Sequence, residues 1–161
     1  GRIRTLLEVM NRNESEMMLF GIESSFEFSP GESHRLGLIF NYTFGELTER
    51  NGRVSPVDRI PPANGVLYNR FKLLPALQLS ASARFALAHK RLSDAESFDY
   101  RISNTGTDGF VVLQLSGSWQ FNDQNTLRIF ADNILDSAYR EHGSTLDGLG
   151  RNLSLAYSYT F

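Results

Sequence analysis

A period of two in side-chain character constrains this chain more than any other feature. Over the last nine residues, Leu153, Leu155, Tyr157, Tyr159 and Phe161 alternate without a break with Ser154, Ala156, Ser158 and Thr160. Successive side chains of a β-strand point to opposite faces, so this spacing makes one apolar face and one small polar face. Leu77, Leu79, Ala81, Ala83, Phe85 and Leu87 alternate in the same way with Gln78, Ser80, Ser82, Arg84, Ala86 and Ala88. Val111, Leu113, Leu115 and Trp119 alternate with Gln114, Ser116, Ser118 and Gln120. Leu36, Leu38, Phe40, Tyr42 and Phe44 oppose Arg35, Gly37, Asn41 and Thr43, while Met18, Phe20, Ile22, Phe26 and Phe28 oppose Gly21, Glu23, Ser25 and Glu27. Weaker alternation covers residues 2–10, 64–72 and 125–133. These segments predict eight strands and no helix, an all-β antiparallel fold.

Several predicted strands reach nine to thirteen residues. That is longer than the ~5–6 usual in globular sheets and close to the ~9–11 that a tilted strand needs to cross a bilayer. The links between them are of two kinds. Residues 29–34, 73–75 and 122–124 are tight turns carrying Pro, Gly, Asn or Asp, whereas 46–63, 91–108 and 134–149 are long and polar. Short and long links alternate from residue 29 onward, as in transmembrane β-barrels with short periplasmic turns and long extracellular loops. Counting back from a periplasmic C-terminus puts all three long links on the cell exterior. Only the first link, residues 11–15, is shorter than that rule expects.

Periodicity leaves open which face is inside, since a soluble barrel binding a small apolar ligand shows the same alternation reversed. Bulk favours the membrane. The apolar faces stack four or five Phe, Tyr, Trp or Leu per strand, more volume than a small interior accepts. The opposite faces carry mostly Ser, Gln, Thr, Ala, Gly and Asn with scattered Glu23, Glu27, Arg84, Arg128 and Asp132, which suits a wetted or plugged lumen. Aromatics gather near strand ends at Phe26 and Phe28, Trp119 and Phe121, and Tyr157 to Phe161, as in interfacial girdles. A self-contained eight-stranded outer-membrane barrel with a structural or adhesive role is a second alternative.

Composition excludes other classes. Sixteen Lys and Arg against eighteen Asp and Glu make a formal charge of -2, without the basic footprint that nucleic acid requires. With zero Cys there is no zinc-thiolate site, disulfide framework or thiol chemistry. The longest apolar run spans six residues, 17–22, far below the ~20 of a spanning helix. No apolar segment of the kind found in signal peptides follows Gly1.

His34, His89 and His142 fall in a turn, a strand end and a loop, without the spacing of a metal site, so no metal ligand is expected among them. His142, Ser144 and Asp147 share one loop, but members of a hydrolytic triad converge from separate elements, and no enzyme is expected. Asp147-Gly148-Leu149-Gly150 precedes no helix and is a return into the last strand. Arg84, Arg128 and Asp132 share the polar face, where a cross-strand charge pair on the barrel wall is favoured over contact with a plug or substrate. Asp94, Glu96, Tyr100, Arg101 and residues 104–108 lie in an external loop, where binding groups usually reside.

The C-terminal third resembles TonB-dependent outer-membrane receptors. Residues 127–133 with Asn133-Ile134-Leu135-Asp136 and Ala138-Tyr139-Arg140-Glu141-His142 are similar to the family's penultimate strand and its Asn-Leu-x-Asp-x-x-Tyr signature. Gly150-Arg151-Asn152 leads into the last strand, and Arg59-Ile60-Pro61-Pro62 before Asn64-Gly65-Val66-Leu67-Tyr68, with Thr107-Asp108-Gly109-Phe110-Val111, also fit. Asp108 and Leu149 stand where the family often has proline before glycine. The resemblance implies that residues 1–161 are about the last eight strands of a barrel of about 22 strands, with the plug domain and the TonB box absent from this chain. It implies import of a metal chelate such as an iron–siderophore complex, no cofactor, and partners in the TonB complex, the lipid bilayer and the outer-membrane assembly machinery. Candidate substrate-contacting residues are Arg84, Tyr100, Arg101, Arg128, Tyr139, Arg140 and His142. Tyr157, Tyr159 and Phe161 are the candidate assembly signal.

Overall fold

The computed structural model describes the backbone of residues 2–12 and 15–161 and the side chains of residues 16–161. The elements are β1 (Arg2–Arg12), β2 (Ser15–Gly31), β3 (His34–Glu49), β4 (Val54–Pro56), β5 (Asn64–Leu74), β6 (Leu77–Ala86), α1 (Asp94–Ser97), β7 (Phe110–Asn122), β8 (Asn125–Asp132) and β9 (Asn152–Tyr159). All pairings are antiparallel, in the order β1-β2-β3-β5-β6-β7-β8-β9, with β4 branching from β3. The eight strands of this path are the eight that alternation predicts. β1 and β9 have one neighbour each, so the described residues form an open wall; the closed eight-stranded arrangement, in membrane or in water, is not adopted.

Register converts alternation into faces, because directly opposed residues share a side of the sheet. Phe71, Leu79, Gly117, Ile129 and Leu155 form one row across five strands. One residue along, Arg70, Ser80, Ser116, Phe130 and Ser154 form a row on the other face. Phe130 interrupts that polar face, as does Tyr68. The Tyr68 ring covers Gly37, where a Cβ would come within 2.1 Å of it, and its hydroxyl donates to Glu27 Oε2 at 2.8 Å. Here glycine makes room for an aromatic cap on the sheet surface.

The wall encloses little core. Among the described residues the buried apolar side chains are Ala86, Ile102 and Val112, whereas Phe28, Leu115, Trp119, Leu153, Leu155 and Tyr157 remain exposed. An apolar face this extensive requires a second apolar medium. No helix among the described residues is long and apolar enough to cross a membrane.

The structure differs from the sequence reading in three places. β2 and β3 are 17 and 16 residues long and carry the sheet into what reads as loop. β4 pairs back onto β3 through Leu47↔Ser55, inside the first long link. The single turn α1 forms because Ser93 accepts from the Glu96 N–H while Glu96 accepts from the Ser93 N–H, a capping box. The middle of the first link, Asn13 and Glu14, and the side chains of the first predicted strand lie outside the described residues.

Adjacent positions on β9 test the faces. Leu155→Arg is expected to cost about 2–4 kcal/mol at the bilayer midplane and Ser154→Arg much less, measured as folded protein recovered from outer membranes. Lower recovery of Ser154→Arg than of Leu155→Arg would mean the faces are reversed, and equal recovery that neither face meets lipid.

Candidate functional site

The connections 50–63, 87–109 and 133–151 leave the same end of the sheet and interlock there. Their hub is Glu96, whose side chain is 2% exposed. Its carboxylate accepts from the Ser93 N–H at 2.8 Å, the Arg59 N–H at 3.1 Å and His142 Nε2 at 2.9 Å, one partner from each connection. Burial alone would raise the Glu96 carboxyl, but the hydrogen bonds from Ser93, His142 and Arg59 outweigh it and hold the group below the ordinary carboxylate range. Arg53 pairs with Asp94 at 2.7 Å, and Arg91 reaches back to Glu46 at 2.7 Å and to the Gly45 carbonyl at 2.8 Å, lying over the Phe44 ring. Local turns alone do not explain this assembly. Partners more than thirty residues apart hold it.

His142 is bound on both ring nitrogens, since Nδ1 lies 2.8 Å from Thr107 Oγ1. Thr107 in turn forms a two-bond backbone bridge with His89, 2.8 Å and 2.9 Å long. The bridge depends on Gly106, which has φ 92° and lies so close to the His89 carbonyl that a Cβ would sit 2.1 Å from it. The His89 and His142 rings meet at a tilt of 60° with centroids 4.5 Å apart, and His89 Nε2 is buried without a hydrogen-bond partner. Burial, and next the neighbouring His142, push the His89 imidazole below its ordinary value. One donor atom each from His89, Glu96 and His142 falls within 4.8 Å of the other two. The sequence spacing of these histidines carries no metal pattern because their convergence comes from loops 46 residues apart in the Glu96–His142 pair. They are nevertheless the side chains here able to hold an ion.

The Asn-x-x-Asp signature is a clasp at the base of the third connection. Asn133 is fully buried at φ 47°, donating to the Ser137 and Leu149 carbonyls at 2.9 Å and accepting from the Ser137 N–H at 2.9 Å. Asp136, at φ 54°, accepts from the Arg151 N–H at 2.8 Å. Tyr139 packs on Gly148, meets the Phe110 ring at a tilt of 39° with centroids 4.8 Å apart and sits 5.1 Å from the Arg84 guanidinium.

Of the candidate binding residues, the structure gathers Arg84, Tyr139, Arg101 and His142 near one another. Arg84 pairs with Glu141 and lies 4.9 Å from the Phe110 ring. The cross-strand charge pair expected among Arg84, Arg128 and Asp132 is not made: Arg128 reaches Ser158 Oγ at 3.4 Å and Asp132 accepts from Gln114 at 2.7 Å. Register explains this, because Arg128 faces Ser118 and Ala156 while Asp132 faces Asn152. Arg128 therefore stands apart on β8. Tyr100 is 89% exposed and joins no cluster. Arg101 is held by Asp99 at 2.8 Å, and its guanidinium keeps the Asp99 carboxyl well below the usual range. Arg140 pairs with Asp147 at 2.6 Å. Tyr157 and Tyr159 share the face of Leu155, and the Tyr159 and Phe161 rings meet edge-on at 5.1 Å.

A cavity of about 240 Å³ opens among the connections, lined in part by Arg59, Glu96, Asp99, Arg101, Glu141 and His142. Three basic or imidazole groups oppose three carboxylates, a mixed lining that offers both donors and acceptors. Arg59, Asp99 and Glu141 are additions to the sequence-based set; the Ser93-x-x-Glu96 spacing was the available sign that this loop is built rather than loose.

The Asn133 hydrogen bonds generate a prediction. Asn133→Ala strands the Ser137 amide and two carbonyls, at about 1–3 kcal/mol for each group left unpaired in the interior. Hydrogen exchange at Ser137 is expected to quicken by roughly thirtyfold or more, with the strand amides unaffected.

The family model described as TonB dependent receptor-like, beta-barrel matches residues 7–134. No curated protein matches the sequence. Among solved structures, the copper transporter OprC superimposes with a TM-score of 0.68 at 15% identity, over 91% of this chain and 24% of that one. The ferric-catecholate import receptor Fiu from E. coli K12, in its closed form, gives 0.69 at 16%, over 96% of this chain and 23% of that one. At such identities the likeness is one of fold, and the chain spans about a quarter of the length of those structures.

Proposed function

The chain belongs to the TonB-dependent receptor-like β-barrel family, and from that premise we propose that it is the C-terminal part of the wall of an outer-membrane receptor importing a metal chelate such as an iron–siderophore complex. Its external connections capture the chelate, a plug carried outside residues 1–161 moves under the action of the TonB complex, and the cargo passes along the polar face. No covalent step is involved. The apolar face meets lipid, and the terminal Tyr157, Tyr159 and Phe161 are read by the assembly machinery.

The single observation that carries this reading is the built cavity at the long-loop end of a wall with one lipid-compatible face. A lining with cations and carboxylates in near balance suits a compact polar complex that presents both kinds of hydrogen-bonding group. Arg101 is preorganised for it, since Asp99 fixes the guanidinium before any ligand arrives.

Uptake of iron-55 bound to catecholate and hydroxamate chelates tests the proposal in cells producing the intact protein. With one chelate class taken up, the Arg59→Ala/Arg101→Ala variant, at equal abundance in the outer membrane, is expected to raise the half-saturating concentration about tenfold or more, as loss of charge-assisted hydrogen bonds of about 1.5–3 kcal/mol would give. Uptake of neither class above that of cells lacking the protein would overturn the chelate reading.

A further inference from the structure

We propose that His89, Glu96 and His142 form a binding site for a divalent transition-metal ion of the zinc class, which ties the β6–β7 connection to the β8–β9 connection. The proposal stands on loop geometry and does not depend on the import reading. Two imidazoles and a carboxylate are a borderline donor set that suits zinc, cobalt, nickel or copper better than calcium or magnesium. Their donor atoms lie within 4.8 Å of one another, and Glu96 and His142 already approach to 2.9 Å. A tetrahedral shell with bonds of about 2.0–2.1 Å spaces its donors by about 3.4 Å, between those two values. Closing the site requires the donors to shift by about an ångström.

The surroundings are those of a metal centre. Metal-bound histidines commonly donate their second ring N–H to a fixed oxygen, and ligating carboxylates are themselves hydrogen-bonded. Thr107 Oγ1 stands 2.8 Å from His142 Nδ1, so an ion that takes the place of the Nε2 proton donated to Glu96 leaves Nδ1–H to donate to Thr107. Glu96 is held by the Ser93 and Arg59 amides. His89 is pinned by its backbone bridge to Thr107, the same residue that orients His142. Glu96 and His142 are 2% and 6% exposed, so neither is a chance surface group. The His89 Nε2 atom, buried and without a partner, is accounted for by an ion. Glu96 and His142 also line the cavity, from which water can supply a fourth ligand to three protein donors.

The test is cobalt(II) chloride titrated into the intact protein, folded in detergent micelles and stripped with chelator. One equivalent is expected, with the d–d absorption of a four-coordinate ion that equimolar zinc abolishes. His89→Ala and His142→Ala should each weaken cobalt binding more than tenfold, and Thr107→Val about tenfold through loss of orientation. His89→Ala leaves the Glu96–His142 bond in place, so it carries the test even if His142→Ala disturbs the loops. Trp119 fluorescence, read from β7, reports whether each variant is folded. Absence of stoichiometric cobalt binding in the wild-type protein, or unchanged affinity and spectrum in folded His89→Ala, would overturn the site.

Discussion

Antiparallel pairing in fixed register is the constraint on which the rest of this structure depends. A slip of one residue would exchange every apolar side chain for its polar neighbour, turning Leu79, Ile129 and Leu155 to the side now held by Ser80, Phe130 and Ser154. Few apolar side chains are buried among the described residues, so hydrophobic packing within them does not fix that register. The backbone ladder and the tight turns fix it, and the exposed apolar side chains gather on one side of the result. The same register decides which long connections can meet, because antiparallel neighbours deliver their loops to one end.

At that end a different physics takes over. The connections are joined by buried or half-buried polar contacts, and Glu96 is the most demanding of them. An ionised carboxylate removed from water is costly unless every lone pair finds a donor. Ser93, Arg59 and His142 meet that requirement from three separate stretches of chain. Losing one partner therefore weakens the attachment of a whole connection. The Thr107 bridge extends the same network to His89, so the imidazole pair and the carboxylate are parts of one assembly rather than three local features.

How much of this the sequence discloses differs between strands and loops for a physical reason. Alternation is a local property, readable residue by residue, so each alternating segment discloses its own strand and its two faces, as Leu77–Ala86 and the last nine residues do, and the eight segments together disclose the path. The signature around Asn133 and Tyr139 was also legible, as a family mark, though its work as a clasp needs coordinates. Contacts between loops are not local. Nothing in the spacing of His89, Glu96 and His142 announces that a glycine at φ 92° and a threonine will bring them together. The expected charge pair among Arg84, Arg128 and Asp132 failed for the same cause, since face alone says nothing about distance along the strands. Glu141, in a loop, supplied the partner for Arg84 instead.

The clasp at the base of the third connection carries an evolutionary consequence. Asn133 and Asp136 bind only backbone groups, at Ser137, Leu149 and Arg151, and so fix where the segment leaves the sheet and where it returns without reference to the side chains between. Residues 138–148 are thus held at both ends by main-chain bonds, and between them by Tyr139 on Gly148, Glu141 on Arg84 and His142 on Glu96. A substitution away from those three side chains leaves the exit and the return of the segment where they are, so change in this connection is channelled into the positions that the anchors leave over.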